Sequence, residues 1–555
     1  MEFEYLENDK IGYIEDPTQE EQQLTHDIYK IFVDEKFSSK NNNIRIIPQK
    51  YYNFIRSSKN VGDGKYTDQS WDVQVKPYLP EKTNDCLFDF QRQAILNMIR
   101  NKRCLNASSM GIGKSIQSLC AMAALRTGRK GDLILCPAYI RMNWMNEINK
   151  WLPNLSDRTI IISKSGKKDI DKATHQLITH KGIIIISYDT AAKIFSKFKK
   201  GALSNSYFNT VICDESHFLK ERSTQRFKNL QKPIRACDNV LLLSGTPMPN
   251  RPRELYTQFA LLYPKVFDDY RTFAYRYCDG HFDNFGRYDD RGTSKTRELT
   301  VMMKKIIIRL RREDVMTDLP NVSRQKVVLD AKPSKKFKSL MKRFNDQLGK
   351  VDEDKHASFQ LQALTSEMFR ETSKIKKQPV LDFIGNLVLQ NEDKVIFFFK
   401  HLELQSAASS LLNNLNKKHI TISGAIPTQK RPIMIKTFLE NDECQYALLT
   451  IDSCCTGINL VPVPKMIFCE LTWSVSDLCQ AECRINRVGA FPYLEYTYLV
   501  CENSLDDKVF KKLERKANMT NLIVDNGNEY DDFTFNKKRT IDQSSNQNHK
   551  KVKTC

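Results

Sequence analysis

Nowhere in the 555 residues does an apolar run reach the roughly 18 positions that a membrane-spanning helix requires, so a bilayer domain is not expected. The opening residues, MEFEYLENDK, are acidic and carry neither a basic leader nor an apolar core. They argue against a secretory signal and for an intracellular protein. Paired Cys-x-x-Cys knuckles with matching histidines are missing as well. The 15 cysteines are scattered, and the adjacent Cys454 and Cys455 or the close Cys479 and Cys483 do not complete a ligand set. Neither structural zinc nor a disulfide framework is expected, and the thiols are read as reduced.

What the chain has in excess is positive charge. Lys and Arg number 86 against 66 Asp and Glu, a net of +20. Such a balance favours a polyanionic partner, because Lys and Arg contacts to phosphates release counterions and give affinity that ignores sequence. Local clusters such as Lys197–Lys200 and the tail supply much of the excess, so a solvated basic surface is the plainer alternative. With 41% hydrophobic and 27% charged residues the composition is that of an ordinary globular protein, and the length calls for several domains.

Residues 1–84, mixed in charge and broken by polar stretches, read as a small leading module. From residue 85 to 263 short apolar runs (DLILCP, GIIIISY, FNTVICDE, NVLLLSGTP) alternate with helix-like segments. That alternation predicts buried parallel strands of an α/β sheet. A second series (KVIFFFK, HITISG, YALLTID, KMIFCEL, YTYLV) predicts another parallel sheet over 378–525, and residues 264–377 between them read as a helical insertion and linker. The polar stretch 526–555 is expected to be a disordered basic tail.

Four segments carry chemistry. In Met110-Gly111-Ile112-Gly113-Lys114-Ser115 a glycine-rich turn opens a helix, so backbone N–H groups can face phosphate oxygens. Lys114 would neutralise the phosphates and the Ser115 hydroxyl would ligand Mg²⁺. The longer GxxxxGK[ST] form is not met, because Ser108 stands at its first glycine. About a hundred residues on, an apolar run ends in Asp214-Glu215-Ser216-His217. Two carboxylates there are costly without a cation, which suits Asp214 holding Mg²⁺ through water and Glu215 orienting an attacking water; an acidic surface turn is the bland alternative. The third run ends in Ser244-Gly245-Thr246-Pro247, a small-residue turn. In Gln480-Ala-Glu-Cys-Arg484-Ile-Asn-Arg487-Val-Gly489 the two arginines stand at i and i+3. On a helix they would share a face and could reach a γ-phosphate, or they could form an exposed basic face.

GxGKS, DESH, SGTP and QxxxRxxRxG, in this order across two predicted sheets, resemble the superfamily-two helicases, and specifically the Swi/Snf-type DNA-translocating ATPases. The resemblance covers roughly residues 86–525. Segments such as LFDFQRQAI, CPAYIRMNWMNEINKWLP, RLRREDVMTDLP and CELTWSVSDLCQAECRINRVG are most similar to the annealing-helicase, HARP-type, fork-remodelling branch. The resemblance implies an α/β fold of two RecA-like lobes closing on one ATP with Mg²⁺, and a DNA partner that is duplex, forked or branched. It assigns adenine reading to Gln91, phosphate binding to Gly111, Gly113, Lys114 and Ser115, and closure on the nucleotide to Gly457. Arg484 and Arg487 match the paired arginine fingers, and Pro137, Ser187, Tyr188 and Thr450 match positions that meet the DNA backbone. The chain departs from the family at Ser108 and Ser109, where acidic residues are usual, at Asn486 in place of His, and at Ala490 in place of Gln. These departures put the coupling of ATP turnover to movement in question.

The implied activity is fork remodelling or reannealing in replication or repair. Displacement of polymerase or other proteins from duplex DNA and a non-catalytic DNA-binding scaffold are the alternatives. KYTDQSW in the leading module faintly resembles a HARP hairpin, but a small unrelated β segment is the favoured reading. Lys538-Arg539, a ten-residue spacer and Lys550-Lys551-Val-Lys553 fit a bipartite nuclear import signal. The Asn, Lys and Ile-rich composition would suit an AT-rich genome, such as that of a large DNA virus with a cytoplasmic factory.

Overall fold

The computed structural model describes residues 2–6, 10–14, 47–57, 67–511 and 536–540, less 164–171, 198–207, 316–319, 349–354, 455–459 and some single or paired positions. No helix among them is long and apolar enough to cross a membrane. The chain falls into two compact units that divide after Val315.

The first unit begins with β1 (Glu2–Leu6), β2 (Lys10–Ile14) and β3 (Ile47–Pro48), an antiparallel three-stranded sheet. Its main sheet uses β4 (Arg103–Asn106), β5 (Gly131–Cys136), β6 (Thr159–Ile162), β7 (Ile183–Ser187), β8 (Phe208–Asp214) and β9 (Asn239–Leu243). A small hairpin, β10 (His281–Phe282) and β11 (Tyr288–Asp289), precedes β12 (Ile307–Ile308). The sheet order is β12-β4-β9-β8-β5-β7-β6, parallel throughout. β5, β7 and β9 are buried at every position, as strands covered by helices on both faces must be.

The second unit carries β13 (Asn321–Leu329), β14 (Val395–Phe399), β15 (Lys418–Ile422), β16 (Cys444–Thr450), β17 (Lys465–Phe468), β18 (Tyr493–Cys501) and β19 (Asn536–Thr540). Their order is β15-β16-β14-β17-β18-β13-β19, again parallel. Two apolar clusters flank it, one around Phe398, Phe468 and Tyr498 and one around Phe397, Phe399 and Val380. The expected α/β fold with two parallel sheets is therefore present.

Several details differ from the sequence reading. The stretch expected to be a helical insertion supplies a strand to each sheet, β12 and β13. Thr67–Trp71 is not a β segment: Thr67 caps helix Asp68–Gln74, its side chain accepting from Ser70 N–H. Trp71, Val75 and Leu79 then pack in the same buried cluster as Ile134, Ile185 and Ile212 of the main sheet. Residues 67–84 thus complete the core of the first sheet. Asn536–Thr540, in the tail expected to be disordered, pairs with β13, whose outer edge offers free backbone groups. The rest of 526–555, with most of the basic import motif, lies outside the described residues.

Candidate active site

Gly111 and Gly113 lie in the left-handed region, at φ +85° and +86°. Gly113 starts helix Lys114–Leu125, and a Cβ at this position would stand 2.5 Å from Gln91 Nε2. Both conformation and space therefore demand glycine. The helix N-terminus lies at Lys114 and Ser115, the arrangement that receives phosphate. Lys114 Nζ donates to the carbonyls of Ser108 (2.7 Å) and Ser109 (3.1 Å), so the ammonium is held at the mouth of the loop.

A polar brace fixes the loop from below. Asn106 Oδ1 accepts from Ser108 N–H (3.1 Å), and Asn106 Nδ2 donates to Gln117 Oε1 (2.8 Å). Gln117 Nε2 in turn donates to the Ile112 carbonyl (3.0 Å). Gln91 joins the same carbonyl through Nε2 (3.1 Å), while its Oε1 accepts from Phe88 N–H (3.2 Å). Gln91 is therefore a loop clamp in this structure, with one lone pair and one N–H left over for a base edge.

The sequence reading assigned no role to RLRRED, yet this segment runs beside the loop. Arg309 donates to the Ala107 carbonyl (2.6 Å), Arg312 to that of Met110, and Leu310 N–H to Ser108 Oγ (3.1 Å). The last bond gives the serine at the family's acidic position a function. Three arginines in four residues were the available signal.

Asp214 ends β8, and Glu215 follows in the left-handed region at φ 51°. Trp144 Nε1 donates to Asp214 Oδ2 (2.9 Å) and Glu215 N–H to Oδ1 (2.9 Å). Burial pushes the Asp214 carboxyl up to about 7, Glu215 pushes the same way, and the Trp144 bond and Lys114 oppose them. A desolvated carboxylate so strained toward its neutral form is one that a divalent cation would relieve, so the residues fit Mg²⁺. His217 Nδ1 lies 3.2 Å from both Glu215 Oε2 and Ser244 Oγ. Ser216 Oγ donates to Gln258 Oε1 (2.8 Å), whose Nε2 donates to the Pro247 carbonyl (2.7 Å). The DESH and SGTP segments are thus tied together; Thr246 lies outside the described residues.

In the second unit the expected helical placement of the arginine pair does not hold. Helix Val475–Glu482 stops before Arg484, and the chain continues in turns. The Glu482 carbonyl still takes a helix-type bond from Asn486 N–H (3.3 Å) as well as one from Tyr496 OH (3.2 Å), but the Arg484 carbonyl accepts from Leu460 N–H (3.2 Å) instead of continuing the helix. The Glu482 carboxylate is gripped by Arg324 Nε (3.0 Å) and Nη2 (2.8 Å) and by Tyr498 OH. Arg484 is 9% exposed, and its Nε has no hydrogen-bond partner among the described residues. Arg487 Nε donates to the Cys483 carbonyl (2.8 Å). Gly457 lies outside the described residues.

The four side chains expected to meet DNA are all buried. Ser187 caps helix Tyr188–Phe195, accepting from Thr190 N–H (3.3 Å). Tyr188, 1% exposed, donates its hydroxyl to the Asp214 carbonyl (2.7 Å) and stacks on Phe218 at 6.0 Å. Pro137 opens a short 3-10 turn, and the Thr450 carbonyl accepts from Ser453 Oγ (2.7 Å). The side chains of these residues thus shape the strand ends from within.

A family model described as the SNF2-related domain matches residues 37–381, and one described as the helicase conserved C-terminal domain matches 377–489. The chain belongs to the SNF2-related family. Relatives in the annealing-helicase branch of this family include the bovine DNA annealing helicase and endonuclease ZRANB3, 32% identical over 450 residues, which are 80% of this chain and 41% of that protein. The Xenopus laevis SWI/SNF-related matrix-associated actin-dependent regulator of chromatin subfamily A-like protein 1 is 30% identical over 436 residues, 78% of this chain and 43% of its own length. The chain spans about two fifths of these curated relatives. A solved SWI2/SNF2 ATPase core of Sulfolobus solfataricus in complex with dsDNA aligns with 79% of this chain and 92% of its own, at 18% identity and a TM-score of 0.37.

Proposed function

We propose that this SNF2-related chain is a DNA-stimulated ATPase that translocates along duplex DNA and remodels or reanneals forked and branched DNA. The observation that carries the reading is one polar cluster in the first unit. There a glycine loop at a helix N-terminus, Lys114 and the Asp214–Glu215 strand end act on one another electrostatically. The bovine relative, named a DNA annealing helicase and endonuclease, favours reannealing over polymerase displacement.

ATP with Mg²⁺ supplies the cleavable phosphoanhydride. Lys114 and the helix N-terminus bind its phosphates, and Ser115 and Asp214 hold the cation, Asp214 through water. Glu215, presented by its left-handed backbone, orients the attacking water. Arg484 and Arg487 match the family's paired arginine fingers, and the buried Arg484 Nε, unpaired among the described residues, suits a phosphate acceptor. Backbone tracking needs no base reading, in keeping with a net charge of +20. The basic clusters Lys538-Arg539 and Lys550–Lys553 support nuclear import.

ATP turnover measured without nucleic acid and with single-stranded, duplex and forked DNA or RNA tests this reading, alongside Lys114→Ala and Glu215→Gln. Stimulation by duplex and most by forked DNA, lost in both variants, is expected. Stimulation by RNA alone, or equal negligible turnover in wild type and variants, would overturn it.

A further inference from the structure

The three oxygen atoms of Asp214 are all occupied, and two of the donors are aromatic side chains from neighbouring strand ends. Trp144 Nε1 holds Oδ2 at 2.9 Å, Glu215 N–H holds Oδ1 at 2.9 Å, and Tyr188 OH holds the carbonyl at 2.7 Å. Trp144 lies on helix Arg141–Trp151, which follows β5 through the Pro137–Ile140 turn, and Tyr188 is the first residue of the helix that follows β7. β5 pairs with both β8 and β7, so the two segments follow the two strands that lie side by side next to the Asp214 strand. The C-terminal ends of such parallel strands are where open α/β sheets receive ligands.

Both aromatics are sealed from water, Trp144 at 2% and Tyr188 at 1% exposure. Neither can exchange its bond for solvent, so a shift of its helix must move Asp214 or break the bond. The helix bearing Trp144 is held near its start by Arg141, which donates to the carbonyls of Ala138 (3.0 Å) and Ile162 (3.2 Å). At its far end the Trp151 carbonyl accepts from Thr83 Oγ1 (2.7 Å). Tyr188 stacks on Phe218, three residues past Glu215, and Arg226 lies 5.5 Å from that ring while bonding Asp189. Each aromatic is thus fixed to a segment that also presents an exposed residue, Ala138 ahead of the Trp144 helix and Asp189 beside Tyr188.

We propose that Trp144 and Tyr188 are positioning residues that transmit occupation of the β5 and β7 strand ends by duplex DNA to the cation-holding carboxylate of Asp214. The inference rests on the motor reading above and names how that site is regulated. DNA settling on the Pro137–Arg141 and Ser187–Asp189 segments sets the two helices, and the indole and phenol donors then set the carboxylate for the cation. A side chain that orients a metal ligand changes metal affinity by about 10-fold to 100-fold when its bond is removed.

The test is equilibrium binding of a fluorescent non-hydrolysable ATP analogue to the full chain, titrated with Mg²⁺ in the presence and absence of duplex DNA. Duplex affinity without nucleotide is measured in parallel. In wild type, DNA lowers the Mg²⁺ midpoint. In Trp144→Phe, which keeps a ring but loses the donor, the midpoint rises about tenfold or more and no longer responds to DNA, while duplex affinity is unchanged. Tyr188→Phe deletes one oxygen, should weaken the response in the same direction, and serves if Trp144→Phe does not fold. A wild-type midpoint indifferent to DNA, variants that respond like wild type, or variants that lose duplex affinity instead would each overturn the coupling. Failure of the motor reading looks different: analogue binding would then be insensitive to Lys114→Ala.

Discussion

At the scale of single residues, the two carboxylates after β8 are set apart by their environment. Asp214, half-buried at the end of its strand, is raised to about 7 by desolvation, with Glu215 adding to the shift. A proton would therefore compete with a cation held there just below neutrality. As pH falls below about 7, the Mg²⁺ concentration needed for half-maximal nucleotide binding should rise, approaching tenfold per pH unit. Above that range the carboxylate is already ionised and the midpoint should level off. A pH series of Mg²⁺ titrations checks this, and Asp214→Asn should give a high midpoint with little pH dependence. A midpoint that is flat between about pH 6 and 8 in wild type would contradict the raised value.

Among elements, the arginine turn of the second unit depends on a strand far away in sequence. Arg324 of β13 and Tyr498 of β18 hold Glu482, two residues before Arg484. Breaking a buried ion pair from one side leaves an uncompensated charge, so Arg324→Met should cost about 3–5 kcal/mol in urea unfolding of the second unit. Tyr498→Phe, losing one hydrogen bond to a charged group, should cost about 1.5–3 kcal/mol. An Arg324→Met, Glu482→Gln double variant should recover part of the loss, because the two changes share one interaction.

The apolar runs were legible because they are strands buried on both faces: GIIIISY became β7, NVLLLSGTP β9 and KVIFFFK β14. β13 was not, since NVSRQKVVL alternates polar and apolar residues as a half-buried strand does, and β12 is two residues long. The phosphate loop and carboxylates could be found from local order along the chain. The loop's support by Arg309 and Arg312 could not, because it depends on pairing about 200 positions apart. The helical spacing of Arg484 and Arg487 misled, because the chain leaves the helix after Glu482: the Arg484 carbonyl takes Leu460 N–H and the Cys483 carbonyl takes Arg487 Nε.

For the whole molecule, a net charge of +20 would set the form of the proposed DNA binding. Log affinity for duplex should fall linearly with log salt, and about 6–10 phosphate contacts would give a loss of about 10³–10⁵ between about 50 and 200 mM. Filter binding or anisotropy across that range measures the slope, and an affinity insensitive to salt would exclude a phosphate-tracking mode. Exchanging the duplex sequence at fixed salt should change little.

The strand that closes the first sheet at Ile307–Ile308 passes within a few residues from arginines grasping the rim of the phosphate loop to the stretch leading into β13. Fraying of that edge strand would be felt first at the carbonyls of Ala107 and Met110, which Arg309 and Arg312 hold, so the rim of the phosphate loop is only as firm as the two-residue strand beside it.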